Sequence, residues 1–211
     1  MKLARSKVLL TAGVACSLAL LVGVVYLFKL PPFEEKGEIK ADEICASLGS
    51  SSSAADSLRN VLPEESSYSF DNDVKLRVDV TDTDYESSCF VSGGGEQLLV
   101  AKTSLMEDES ETSWTQWVKG TAANDASVAS LKPFAMSKTA VASDRFAAVF
   151  VPCTSEGKIP GGQYNLSVSV ELKQAGDSSA SATRNALIDL VKSAGSFAHD
   201  KALCDMAFES A

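Results

Sequence analysis

An α+β fold, with a mainly antiparallel sheet, helices packed on it and one N-terminal transmembrane helix ahead of it, is the architecture this sequence predicts. Three observations predict it. Short segments that alternate apolar and polar residues recur between positions 74 and 172, separated by Gly-, Ser- and Pro-containing turns, as consecutive hairpins require. Segments of helical period stand before, between and after them. Finally, Val8 to Phe28 runs for 21 positions without a charge, directly after Lys2, Arg5 and Lys7.

At 1.5 Å per residue that uncharged run spans about 31 Å as a helix, close to the thickness of a bilayer hydrocarbon core. A helix satisfies its own backbone hydrogen bonds, so lipid tolerates it. Tyr26 and Lys29 at its far end suit the membrane interface. Positive flanks stay cytoplasmic, so residues 1–7 are expected as a cytoplasmic tail, 8–28 as an uncleaved transmembrane helix and everything beyond as extracytoplasmic. A cleaved signal peptide usually has a shorter apolar region and a small-x-small site, whereas Tyr26-Leu27-Phe28-Lys29 is bulky. Lipidation at Cys16 is the third possibility, but the apolar run continues past it, and Cys16 is expected as a small hydrophobe within the helix. Residues 29–40, with Pro31 and Pro32, are expected as a stiff polar spacer, and residues 41–211 as one extracytoplasmic domain large enough for a core.

Four of the 19 basic residues and none of the 28 acidic ones precede residue 31, so residues 31–211 carry 15 basic against 28 acidic side chains, a net charge of −13. Such a surface repels nucleic acid, and no nucleic-acid partner is expected. Cys45, Cys89, Cys153 and Cys204 remain outside the membrane. An even number in an oxidising compartment implies two disulfides, but four cysteines allow three pairings and spacing alone does not choose. No Cys/His spacing nominates a zinc site.

Taken in order, Asp42 to Leu48 suits a short helix with Asp42 as N-cap, Gly49 to Ser53 a flexible loop, and Ala54 to Leu62 a helical turn or two ended by Pro63. Val74, Leu76, Val78 and Val80 alternate with Lys75, Arg77 and Asp79, predicting a strand buried on one face. Ser87 to Ser92 is a second strand, Gly93 to Gly95 a turn, and Gln97 to Leu105 a third strand, apolar on both sides around Leu98 to Ala101. Glu111 to Lys119 returns to helical period, with Trp114, Trp117 and Val118 on one face and four acidic residues gathered where the helix dipole favours them. The two tryptophans suggest either a sugar-stacking surface or core; at this spacing beside Val118, core is expected. Lys132 to Val141 and Arg145 to Val151 read as a strand pair, the second apolar throughout and so covered on both faces. After Pro160-Gly161-Gly162, Leu166, Val168, Val170 and Leu172 alternate with polar residues in a one-sided strand; Asn165-Leu166-Ser167 within it is a glycosylation sequon in a eukaryotic host. The last helix is capped among Asp177, Ser178 and Ser179, carries a stripe through Leu187, Leu190, Val191, Ala194, Phe197 and Ala198, and is expected to extend the stripe to Leu203, Cys204 and Phe208.

These elements carry no recognisable catalytic pattern. His199 is the sole histidine, no nucleophile motif accompanies it, and no glycine-rich loop links a strand to a helix. Asp79, Asp82, Asp84 and Glu86 cluster at a turn where oxygen ligands can hold calcium, but the EF-hand spacing is missing and a solvated turn is expected. No catalytic residue, cofactor or metal is nominated.

The placement of Cys45 in the first helix, Cys89 in a strand, Cys153 after Val151-Pro152 and Cys204 in the last helix, with the anchor and an Ala/Ser/Asp-rich composition, resembles membrane-tethered actinobacterial proteins of unknown function. The helix–hairpins–helix–hairpins–helix order is similar to PsbP-like α/β sandwiches and to extracellular sensor domains of mycobacterial kinases. The resemblance, over roughly residues 41–208, implies a ligand-sensing or interaction module. In that arrangement, pairing Cys45 with Cys89 and Cys153 with Cys204 would staple one helix to the sheet at each end, and this connectivity is expected. The functional expectation is a single-pass, membrane-anchored, non-catalytic domain that binds a protein or small ligand at the cell surface. A cell-envelope hydrolase acting through carboxylates, or a purely structural envelope protein, are the alternatives.

Overall fold

The computed structural model describes residues 36–49, 51–122, 130–136 and 139–208. The expected cytoplasmic tail, transmembrane helix and first part of the spacer lie outside the described residues; among those that are described, no helix is long and apolar enough to cross a membrane. Glu38 to Ala211 forms one compact unit. It begins slightly ahead of the expected boundary, because Ile39 is buried and its carbonyl accepts a hydrogen bond from Arg59 at 2.6 Å.

Among the described residues seven strands form one sheet: β1 (Tyr68–Lys75), β2 (Glu86–Gly93), β3 (Glu96–Glu107), β4 (Lys132–Pro133), β5 (Thr139–Ala142), β6 (Phe146–Ile159) and β7 (Gly162–Leu172). Every pairing is antiparallel, in the spatial order β1-β2-β3-β7-β6-β5-β4. Two meanders, β1 to β3 and β4 to β7, therefore meet where β3 pairs with β7. This places β3, β7 and β6 at the centre, and β3 and β6 are the strands whose sequences are apolar on both faces. The turn between β2 and β3 uses Gly94 and Gly95 at φ 58° and 84°, a region that glycine enters without steric cost. The short β4 edge is closed by Pro133 and by Arg184, whose guanidinium donates to the carbonyls of Lys132, Pro133 and Ala142.

Helices α1 (Ser52–Val61) and α3 (Ala180–Lys201) cover one face of the sheet. The serines expected as a loop cap α1 instead: the Ser51 hydroxyl accepts from the Ala54 amide at 3.1 Å. Leu62 is extended ahead of Pro63, which ends α1. Ser179 caps α3 in the same way. The first cysteine helix is shorter than expected, a single 3-10 turn at Ala46–Leu48 that Asp42 does not cap. It is held from outside, by the Asn72 side chain accepting from the Ser47 amide and hydroxyl and by Ser193 donating to the Leu48 carbonyl. Helix α2 (Glu111–Trp117) and one wider turn at Val118–Ala122 lie on the opposite face.

Both disulfides form with the expected connectivity, Cys45–Cys89 and Cys153–Cys204. Cys153 sits where β6 is irregular between Pro152 and Thr154, so its carbonyl is released from the ladder and accepts from the amides of Asp205 and Met206. The helical stripe does not extend as expected. α3 ends at Lys201, Leu203 takes φ 55° and is exposed, and Cys204 is turned back toward β6. Gly195 of α3 is where the Phe208 ring lies: a Cβ there would meet that ring at 3.4 Å.

The largest departure concerns the alternation from Val74 to Val80. The strand occupies Tyr68–Lys75, and Leu76, Val78 and Val80 are exposed, Val78 by 90%. The buried residue is Arg77, at 6% exposure, whose guanidinium donates to the carbonyls of Asp82, Val80 and Ala202. Asp79 accepts from the amide and hydroxyl of Thr81, and Asp82 from the amides of Val78 and Asp84. These local side-chain-to-backbone bonds offer the chain a turn that competes with the ladder, and the apolar period loses. Burial draws the Arg77 guanidinium below its ordinary range, while Asp82, Asp79 and Asp205 act in the opposite direction; it stays charged at neutral pH.

The carboxyls of Asp79 and Asp82 titrate below the ordinary aspartate value, Asp79 chiefly through its Thr81 hydroxyl and Asp82 through the Val78 and Asp84 amides. A depressed folded-state pKa means that the contribution is present above the unfolded value and lost as pH falls through the folded one. Amide exchange at Val78 is therefore expected to stay protected through neutral and mildly acidic pH, and to lose protection only below about pH 3.9. Loss of protection already at pH 5 would refute this account of the loop.

Candidate functional site

The sheet face opposite α1 and α3 is covered over only part of its width. Register places its side chains in three rows across five strands. Lys75, Glu86, Ser104, Ser167 and Phe150 form one row; Asp73, Ser88, Lys102, Ser169 and Ala148 the next; Asp71, Phe90, Val100, Glu171 and Phe146 the third. In each row the β6 end is apolar and the β1 end is charged. Helix α2 covers the apolar end. Trp114, fully buried, stacks on Phe150 with ring centroids 5.2 Å apart, and its indole N–H donates to the Ser167 hydroxyl at 3.0 Å. Val118, Val141, Phe146 and Ala148 complete this second core.

Beyond the edge of α2 the same face opens into a groove of about 730 Å³, within the roughly 300–1,000 Å³ typical of small-ligand sites. Phe90 and Val100 supply an apolar strip of its lining, Ser88, Ser169 and Lys102 lie beside it, and Trp117 forms part of the rim. Trp117 is 39% exposed, whereas Trp114, one helical turn earlier, is buried. The expectation that both tryptophans are core therefore holds for Trp114 alone.

The charged lining residues balance, with Lys75, Lys102 and Lys173 against Asp73, Glu86 and Glu171. Lys173 pairs with Glu171 at 2.6 Å and Lys75 with Asp84 at 2.9 Å. The Asp84 hydrogen bond and charge raise the Lys75 ammonium above its ordinary range. Lys102 is the cation on the central strand, with Ser88 and Ser169 directly across from it on either side. Phe90, Lys102, Ser88 and Ser169 were not nominated from the sequence, and Trp117 was weighed there as a stacking residue but expected in the core. A usable signal was present, because Lys102 directly follows the apolar run Leu98 to Ala101 in a strand expected to be central. A lysine there has to face an opening.

The structure separates the acidic cluster considered for calcium. Glu86 lies in the groove opposite Lys75, Asp84 pairs with Lys75, and Asp79 and Asp82 hold the Arg77 loop. Among the described residues no three His, Cys, Asp or Glu side chains converge on a metal-sized point. His199 is half-buried, with Nε2 2.7 Å from the Met206 carbonyl oxygen and its ring 5.5 Å from Phe208, an arrangement that orders the C-terminal segment. Asn165 of the sequon is fully buried, and its amide donates to Asp108, so a glycosyltransferase cannot reach it in the folded domain. No family model, curated protein or solved structure matches the chain.

Proposed function

We propose that this chain is a single-pass, membrane-anchored, extracytoplasmic binding module whose ligand seats in the groove between α2 and the open half of the sheet. The observation that carries the reading is the half-covered face itself. The β6 side of the face is covered by the cluster around Trp114, and the uncovered part presents an aromatic rim, an apolar strip and paired charges. Membrane placement rests on the uncharged run Val8–Phe28 and its basic flank. The two disulfides fit an oxidising compartment outside the membrane. The order of α1, three strands, α2, four strands and α3 supports the likeness to kinase-sensor and PsbP-like sandwiches. A carboxylate hydrolase would need two acids roughly 5–10 Å apart across the scissile bond. Of the acids lining the groove, Glu171 is tied to Lys173, so that alternative would rest on Asp73 and Glu86 of the neighbouring strands β1 and β2.

The test is photo-crosslinking in native membranes from a photo-reactive residue at position 102, with position 78 as an exposed site outside the groove. The expected result is an adduct specific to position 102 that disappears when Trp117 is also changed to Ala. Adducts that are absent, or equal from both positions, would sink the reading.

A further inference from the structure

We infer that the groove takes an uncharged saccharide chain, with the Trp117 indole as its stacking platform; the inference rests on the binding reading above. Trp117 and Trp114 share one helix, yet the fold uses them differently. Trp114 is consumed by Phe150 and Ser167, while Trp117 keeps 39% of its surface exposed at the rim of a polar groove. A large aromatic ring is costly to leave in water, and its π face suits the C–H face of a sugar ring, flat and apolar on one side with hydroxyls around its edge.

The lining matches the remainder of such a ligand. Phe90 and Val100 continue the apolar strip, and the neighbouring rows carry the hydroxyls of Ser88, Ser104 and Ser169. Serine hydroxyls both donate and accept, as sugar hydroxyls do, and flanking ammonium and carboxylate groups serve each kind of partner. The charge balance selects against ions. Three lysines oppose three carboxylates in the groove, and the chain beyond the anchor is acidic overall, with 28 acidic residues in the sequence. A polyanion is therefore repelled on approach, and a polycation would find Lys102 in the centre of the floor. A neutral, polyhydroxylated chain meets neither obstacle, and a groove of about 730 Å³ takes more than a single small ion.

The experiment uses the full chain in lipid nanodiscs, titrated separately with cellohexaose, mannohexaose and the neutral, fully N-acetylated chitohexaose and followed by calorimetry and tryptophan fluorescence. At least one of the three is expected to bind. Trp117→Ala is expected to weaken that binding about tenfold, equivalent to about 1.4 kcal/mol, and Trp117→Phe to restore most of it, since a ring remains. Leu76→Ala, on the exposed loop outside the groove, is expected to leave it unchanged. Binding by none of the three at about 10 mM, a limit corresponding to only a few kcal/mol, or binding indifferent to Trp117→Ala, overturns the inference. If no saccharide binds but the position-102 crosslink still gives a groove-specific adduct, the saccharide inference fails and the binding reading stands. If neither occurs, both fail.

Discussion

Replacing Cys153 and Cys204 together by alanine is expected to destabilise the domain by roughly 4 kcal/mol, the chain-entropy value for a loop of this size; the bridged residues are 51 apart in sequence. The loss should not be confined to the unfolded state. This bridge holds the segment after α3 against β6, where the Asp205 and Met206 amides donate to the Cys153 carbonyl and Asp205 accepts from the Ser155 amide and hydroxyl. The same segment supplies the Ala202 carbonyl to the Arg77 guanidinium at 2.6 Å. Freed from the bridge, it should release Arg77, a buried cation that depends on those carbonyls. Urea unfolding should show the lower stability, and hydrogen exchange should show lost protection in residues 76–84. Removing Cys45–Cys89, whose 44-residue separation gives a similar entropic value of roughly 4 kcal/mol, should leave that loop protected. Equal deprotection by both pairs of substitutions would disprove the coupling.

Trp114→Ala is expected to lower stability by about 3–5 kcal/mol, as for other buried aromatics. It opens a cavity against Phe150 and leaves the buried Ser167 hydroxyl without its indole donor. At about 2–4 °C per kcal/mol for a domain of this size, the melting temperature should fall by roughly 6–20 °C. Trp117→Ala, three residues along, should cost less than about 1 kcal/mol because that side chain is substantially exposed. The pair of melts checks the division of labour on α2: one tryptophan attaches the helix to the sheet and the other faces the groove. Equal losses from the two substitutions would mean that Trp117 is core and that the groove has no aromatic rim to offer. A variant lacking Trp114 should also bind groove ligands poorly, since α2 carries Trp117.

Much of the secondary structure was legible because burial leaves a period in the sequence. β2, β3, β6, β7 and α3 follow their apolar patterns, and the two strands apolar on both sides are central. The failure at Val74 to Val80 has a local cause. Four apolar residues at period two can be outweighed when Asp79 and Asp82 close turns on their own backbone and a buried arginine gathers three carbonyls. The period is a statement about packing, and it has no force where the chain is turned away from the sheet. The polar side of β7 was misleading in another way. Ser167 and Ser169 alternate with apolar neighbours as on a solvated face, yet Ser167 is buried beneath Trp114 and Ser169 faces the groove. A serine reads the same in the sequence whether water, a helix or a ligand lies over it.

By itself, the sequence determined the class of the domain, its antiparallel hairpins, its excess of negative charge and the presence of four cysteines outside an apolar run. These are set by composition and by nearest-neighbour periodicity. Only the tertiary structure decided that β7 joins the two meanders, that the cysteines pair within each half, that Arg77 is buried while Val78 is exposed, and that Trp114 and Trp117 divide between core and groove. Each of these depends on residues far apart in the chain, from Arg77 with Ala202 to Lys102 with Ser169. Pairings across such distances are chosen by how the layers close and leave no local period to read.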